Sequence, residues 1–238
     1  MLMQFPYFFE PQLLSLPDRF QLNDEAAKHA TQVLRMKAGE QLQLTDGKGN
    51  LATCTIREVG KKLCMIERNQ LDKYAKTTAE NTIAFSPLKN AARFEWFLEK
   101  ATELGISAIV PIMCARTERQ YYKEERFLSI IVSAMLQSRQ VFLPQLTAPV
   151  SFQAYLEQVL QGNLFIAHCA EDNSKKALQQ SIITGAGHTI LIGPEGDFSQ
   201  EEISLAKSKN FSSVSLGNNR LRTETAGIAA AVLLYAAQ

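Results

Sequence analysis

Two glycine-turned stretches near the C-terminus carry the residues best suited to chemistry. The first runs Leu191-Ile192-Gly193-Pro194-Glu195-Gly196-Asp197-Phe198, the second Leu216-Gly217-Asn218-Asn219-Arg220-Leu221-Arg222-Thr223-Glu224-Thr225-Ala226. Each follows a short apolar run and precedes a helical pattern, so each reads as a strand-to-helix loop. In an open α/β sheet such loops gather outside the carboxyl ends of the strands, and two so close in sequence can wall one pocket. In the first, Gly193 and Gly196 let the backbone approach a ligand and Pro194 stiffens the turn. Backbone N–H and C=O groups are then the expected contacts, which suits adenine and ribose. An ordinary strand-to-helix connection is the alternative. In the second, Arg220, Arg222 and Glu224 crowd the start of a helix whose remainder, Ala226 to Ala237, is almost wholly apolar. Charges at the lip of a buried helix either pair structurally or act on a ligand.

The segments before these loops form the scaffold. Thr82 to Ser86 reads as a strand, and Asn90 to Leu104 as a helix with Phe94, Phe97, Leu98, Ala101 and Leu104 on one face, ended by Gly105. With the strand Ile106 to Ile112 this is a βαβ unit. A helix over Glu124 to Gln137, strands over Leu164 to Ala167 and Thr189 to Ile192, a helix over Glu201 to Lys209 and a strand over Ser212 to Leu216 continue the pattern. Ser199 and Glu202 have the spacing of a capping box. The sheet is expected to be mostly parallel. His168 ends a strand on its ligand side, whereas His29 and His188 read as structural or surface groups.

The N-terminal third differs. Asn23 can cap a helix carrying Ala26, Ala30, Val33, Leu34 and Lys37, with Gly39 as its stop. Period-2 strands follow over Gln41 to Thr45, Leu51 to Arg57 and Lys62 to Glu67, with turns at Asp46 to Asn50 and at Gly60-Lys61. The polar run Asn69 to Asn81 reads as a linker, which gives domains of 1–72 and 73–238.

Composition narrows the function classes. With 238 residues, 46% of them hydrophobic, the chain can bury a sizeable core. Net charge is +1 and evenly spread, so any RNA site is a local patch on a neutral protein. Four cysteines without a close pair disfavour a zinc cluster, suit a reducing compartment and read as core thiols; no metal site is expected. The apolar C-terminal run, Thr225 to Gln238, has 14 residues, short of the ~20 that cross a bilayer, and no signal-peptide pattern opens the chain. A cytoplasmic protein is expected. Nicotinamide, nucleotide-triphosphate, zinc-protease and serine-hydrolase readings lack their motifs.

Gly-Pro-Glu-Gly, followed about twenty residues later by Leu-Gly-x-x-x-Leu-Arg-Thr-Glu-Thr-Ala, resembles the RsmE family of SPOUT-type RNA methyltransferases. The resemblance covers nearly the whole chain. His29 to Gly39 with Leu44-x-Asp46-Gly47 is similar to the family's PUA-like RNA-binding domain, and Lys100-Ala101-Thr102-Glu103-Leu104-Gly105 through Pro111 and Arg116 to the opening of its catalytic domain. Gln137-Ser138 to Pro144 is similar to the next family stretch, with the arginine displaced to Arg139. Two further departures stand out. Asp197 occupies a position commonly held by glycine, and Asn218-Asn219-Arg220 replaces the usual Pro-Arg-Ile.

The resemblance implies an α/β fold, a SPOUT-type trefoil-knotted parallel sheet domain with a small N-terminal PUA-like β-barrel. It implies S-adenosylmethionine as cofactor, held by His168, Ile192, Gly193, Pro194, Glu195, Gly196, Leu216, Gly217, Leu221, Thr223 and Ala226. It further implies a homodimer that methylates N3 of a uridine in 16S ribosomal RNA of the small subunit. An imide N–H is a far weaker acid than a carboxylic acid, so Arg222 would stabilise charge on a uracil oxygen while Glu224 orients it or assists proton removal. Arg35, Lys37 and Lys48 are the candidate RNA contacts. A non-catalytic RNA-binding assembly factor, a relative with another RNA target, and a small-molecule enzyme using Gly193 to Gly196 as an anion site remain alternatives.

Overall fold

The computed structural model describes residues 5–60, 63–77, 79–118, 122–158, 160 and 162–237; Lys61 and Lys62, assigned above to the second turn and the strand after it, lie outside them. The chain divides into two compact units, Met1–Lys76 with Met135–Leu143, and Thr77–Ala134 with Pro144–Gln238.

The first unit is a five-stranded sheet of β1 (Tyr7–Phe9), β2 (Arg19–Gln21), β3 (Gln41–Thr45), β4 (Asn50–Val59) and β5 (Cys64–Lys73), in the order β1-β3-β4-β5-β2. β3 and β4 form an antiparallel hairpin whose turn is built by Asp46: its Oδ1 accepts the N–H of Lys48 at 2.7 Å, while Gly47 and Gly49 take φ of 70° and 94°. Alternation buries Leu42, Leu44, Ala52, Cys54, Ile56, Cys64 and Ile66 on one face, where Leu13, Leu22, Ala26 and Ala30 meet them. Two expectations are corrected. Helix α1 (Asp24–Lys28), capped by Asn23 through the Ala26 N–H at 2.9 Å, continues as a π-helical turn over His29–Val33 and stops well before Gly39. Arg35 turns left-handed (φ 55°) and sends Met36 into the core, so burial overrides the helical pattern. Asn69 to Lys73, read as the start of a linker, is the far end of β5; past a bulge at Asn69, Gln70 to Lys73 stay paired with Asn50 to Thr53 although most of these side chains are exposed.

The second unit is the α/β layer. It holds β6 (Asn81–Phe85), α2 (Ala91–Glu103), β7 (Ala108–Met113), α3 (Glu124–Gln137, which ends in the first unit), β8 (Gln145–Leu146), β9 (Val150–Ser151), α4 (Phe152–Leu156) and β10 (Asn163–Ala167). β11 (Lys176–Ala177), α5 (Leu178–Ser181), β12 (His188–Ile192), α6 (Gln200–Ser208), β13 (Ser212–Ser215) and α7 (Thr223–Tyr235) complete it. The strand order is β11-β13-β10-β12-β6-β7-β8, with β9 beside β7, and the strand pairs are parallel. Asn90 caps α2, which buries Phe94, Phe97, Leu98 and Ala101. Phe85 and Phe97 stack with ring centroids 4.0 Å apart, and α7 packs against α2. Gly227 permits that packing, since a Cβ there would sit 2.6 Å from the Phe97 ring.

Candidate active site

The register of three strands creates the site. Ala167 at the end of β10 lies opposite Ile192 at the end of β12 and Val214 in β13, so three carboxyl ends open side by side. The loops that follow, together with the start of α7 and Arg93 from α2, wall a cleft of about 700 Å³, within the range of small-molecule sites. Of the residues expected to hold a cofactor, His168, Ile192, Gly193, Pro194, Glu195, Leu216, Gly217, Leu221, Thr223 and Ala226 line it, as do Arg222 and Glu224.

Gly196 does not line the cleft. Its carbonyl accepts from Arg116 Nη1 at 2.7 Å, and a Cβ on it would meet the Arg116 side chain at 3.3 Å. Gly193 also serves packing more directly than ligand approach, because a Cβ there would lie 3.1 Å from the buried Phe198 ring. The sharp backbone conformation falls instead on Asp197, with φ of 64°. Its N–H donates to the Pro194 carbonyl at 2.9 Å, and its carboxylate accepts the N–H of Phe198 and of Cys169, each at 2.8 Å. Ser199 and Glu202 make the expected capping box, and Glu202 also accepts the Ala115 N–H at 2.8 Å. The protein's own carboxylates thus engage backbone donors around the α6 N-terminus, which weakens the anion-site alternative.

His168 is buried on the cleft floor, with Nε2 3.0 Å from Ser213 Oγ and 3.8 Å from Asp172. Burial pushes its pKa down, helped by Lys175 and Lys207 and opposed by Asp197 and Asp172. Lys175 ties the same loop by donating to the His168 and Ala170 carbonyls at 2.8 and 2.7 Å. Asp172, accepting from Ser174 and Lys207, is held well below the usual carboxylate range.

Glu224 is buried at the first turn of α7, and its Oε1 faces Arg93 Nε at 3.5 Å. Its partner is therefore not Arg222, which stands exposed and makes no ion pair with the described residues. Sequence reasoning missed Arg93; its position beside the buried face of α2 was the available signal, but its partner lies over a hundred residues away. It also took all four cysteines for core thiols. Cys54, Cys64 and Cys114 are buried, and burial drives the Cys54 thiol up to about 11, whereas Cys169 emerges after β10 onto the cleft wall. Arg35, Lys37 and Lys48 are exposed on the first unit. No metal-binding cluster occurs among the described residues, and none of their helices is long and apolar enough to cross a membrane.

Residues 75–235 match the family model of an RNA methyltransferase domain, and residues 22–67 that of an RNA methyltransferase PUA domain. Ribosomal RNA small subunit methyltransferase E from Rickettsia conorii is 31% identical over 214 residues, 87% of this chain and 85% of the relative. A crystal structure of a probable rRNA methyltransferase from Porphyromonas gingivalis superposes with a TM-score of 0.90 at 35% identity, covering 98% of each chain. The Neisseria gonorrhoeae ribosomal RNA small subunit methyltransferase E bound to S-adenosyl methionine gives a TM-score of 0.86 at 27% identity, again over 98% of each chain. Motif, architecture and cleft agree with these matches, and the chain belongs to the RsmE family of RNA methyltransferases.

Proposed function

We propose that this protein transfers the methyl group of S-adenosylmethionine to N3 of a uridine in 16S ribosomal RNA of the small subunit, in the cytoplasm and as a homodimer. The carrying observation is the convergence of both glycine loops on one cleft that holds an arginine with no ion pair among the described residues and a buried carboxylate. The residues present fit the cofactor. Two of the three buried side-chain polar atoms without a partner among the described residues, His168 Nδ1 and Glu224 Oε2, belong to side chains lining this cleft. Buried polar atoms of this kind call for a hydrogen-bonding ligand. His168, Ile192 to Glu195, Leu216, Gly217, Leu221, Thr223 and Ala226 are the residues that would hold it.

The bound cofactor supplies an electrophilic methyl group on its sulfonium. The protein's task is to place the uracil ring and stabilise its anion. Arg222, exposed at the cleft, holds a uracil oxygen and stabilises charge as the imide proton leaves. Glu224, oriented by Arg93 rather than by Arg222, assists removal of that proton. In the first unit, Arg35, Lys37 and Lys48 hold the RNA backbone, and the PUA-type match over residues 22–67 supports that division. The outer face of α7, with Val232 and Tyr235 exposed, supports a second copy as the covering partner, and the return of α7 onto α2, β6 and β12 accords with a knotted C-terminal segment.

The test is to incubate the protein and labelled S-adenosylmethionine with small ribosomal subunits lacking the modification and to identify the methylated nucleoside by mass spectrometry. A single N3-methyluridine is expected. Label on another nucleoside, or none, overturns the reading.

A further inference from the structure

Asp197 does more than complete a turn. At φ of 64° it occupies the left-handed region that L side chains rarely adopt, a conformation with an energetic cost. Its carboxylate supplies the compensation. One oxygen accepts the N–H of Phe198 within its own loop, and the other accepts the N–H of Cys169 in the loop after β10, both at 2.8 Å. Charge-assisted bonds of this length are the stronger kind. β10 and β12 are adjacent, with their ends paired at Ala167 and Ile192, so the second bond joins two cleft walls just where ladder pairing stops.

The neighbouring packing makes the position of this staple consequential. Phe198 is buried and lies against Phe152 with ring centroids 5.5 Å apart, and a Cβ on Gly193 would come within 3.1 Å of its ring. Pro194, Glu195 and Asp197 are thereby held between a core anchor on one side and the Cys169 backbone on the other.

We propose that Asp197 is a positioning residue for the cofactor: by stapling the loop after β12 to the loop after β10, it sets the separation of two walls between which S-adenosylmethionine is held. The inference rests on the cofactor reading above. It assigns to the side chain a bond that a glycine at the same position cannot make.

Two substitutions in the full chain test it. Asp197→Gly keeps the left-handed backbone without strain and removes both side-chain bonds. Asp197→Asn also tolerates that conformation and keeps one acceptor oxygen but no charge. Calorimetric titration with S-adenosylmethionine and with its demethylated product, S-adenosylhomocysteine, is expected to show about tenfold weaker binding of both ligands to Asp197→Gly, as loss of preorganisation predicts, and a measurable loss for Asp197→Asn, whose single acceptor oxygen can hold only one of the two N–H groups. The cofactor KM should rise with the dissociation constant, while kcat changes less than about threefold. Unchanged binding in Asp197→Gly overturns the proposal. A loss confined to the sulfonium-bearing ligand would make the effect one of charge and overturn it equally. If the unaltered protein binds neither ligand, the cofactor reading itself falls, a result distinct from a silent Asp197→Gly in a protein that binds both.

Discussion

The loop after β12 and the loop after β13 line the same cleft, but they are built on opposite principles. The first is tied at nearly every residue: Arg116 grips the Gly196 carbonyl, Asp197 holds Cys169 and Phe198, and Glu195 Oε1 accepts the Lys89 N–H at 3.4 Å. In the second, Asn218, Asn219 and Arg220 are exposed, and their side chains make no hydrogen bond or ion pair with the described residues. Gly217, at φ of 139°, has open space where a Cβ would stand. Arg222 follows, exposed and making no ion pair with the described residues. A wall made rigid before binding lowers the cost of ordering a ligand; a free charge at a helix start is available for charge that develops only during reaction. The ties of the first loop should therefore bear on affinity, and the free arginine of the second on rate.

Arg222→Ala probes that division most severely. It is expected to slow methylation by ~100-fold or more while cofactor affinity changes less than about tenfold, as for an oxyanion-type contact. Arg222→Lys should restore little, because a point charge lacks the planar fork of the guanidinium. Single-turnover rates on ribosomal subunits, with calorimetry alongside, decide it; a near-normal rate erases the contrast. Gly193→Val is the reciprocal test. Its side chain would press on the Phe198 ring, already 3.1 Å from the Cβ position, and overpacking of about 2 kcal/mol should weaken cofactor binding by about 30-fold and lower the melting temperature. Undiminished binding removes the first loop from the cofactor site.

A milder effect is expected in the first unit. Replacing Arg35, Lys37 and Lys48 together by Glu should raise the KM for ribosomal subunits by about tenfold, make binding less salt-dependent and leave cofactor affinity alone, because phosphate contacts set RNA affinity. An unchanged KM in a kinetic titration would move the RNA surface elsewhere. The smallest effect concerns pH. Burial lowers the pKa of His168 and of His188 below the ordinary 6.5, so the unfolded chain takes up these protons more readily than the folded one. Their contribution to stability is full above pH 6.5 and is lost as pH falls toward the folded values. Thermal melts from pH 7.5 to 5 should decline over that window, and His188→Gln should flatten part of the decline. A melting curve that rises on acidification refutes the assignment.

Local chemistry was legible where a residue acts on its own neighbours. Asn23 caps its helix because a short polar side chain reaches an N–H three residues on, and Ser199 with Glu202 closes a capping box within one turn. The apolar face of α2 and the strands before both glycine loops follow from periodicity in the same way. Strands of two or three residues, β1, β2, β8, β9 and β11, are too short to show a period and exist through the pairing of a longer partner or of each other's neighbours. The early end of the helical stretch after Asn23 was illegible for a related reason, since it depends on Met36 finding the core.

By itself, then, the order of residues determined the alternation of strands and helices, the two glycine loops and the motif that marks the family, since each depends on spacing within a few turns of chain. Tertiary structure decided who meets whom. Arg93 rather than Arg222 faces Glu224 because α2 and α7 pack through Gly227, and Asp197 reaches Cys169 because β10 and β12 are neighbours in the sheet though not in sequence. The same adjacency brings Cys169 out of the core and onto the cleft wall. Such pairings are set by strand order and helix packing, which bring together residues that local periodicity treats as unrelated.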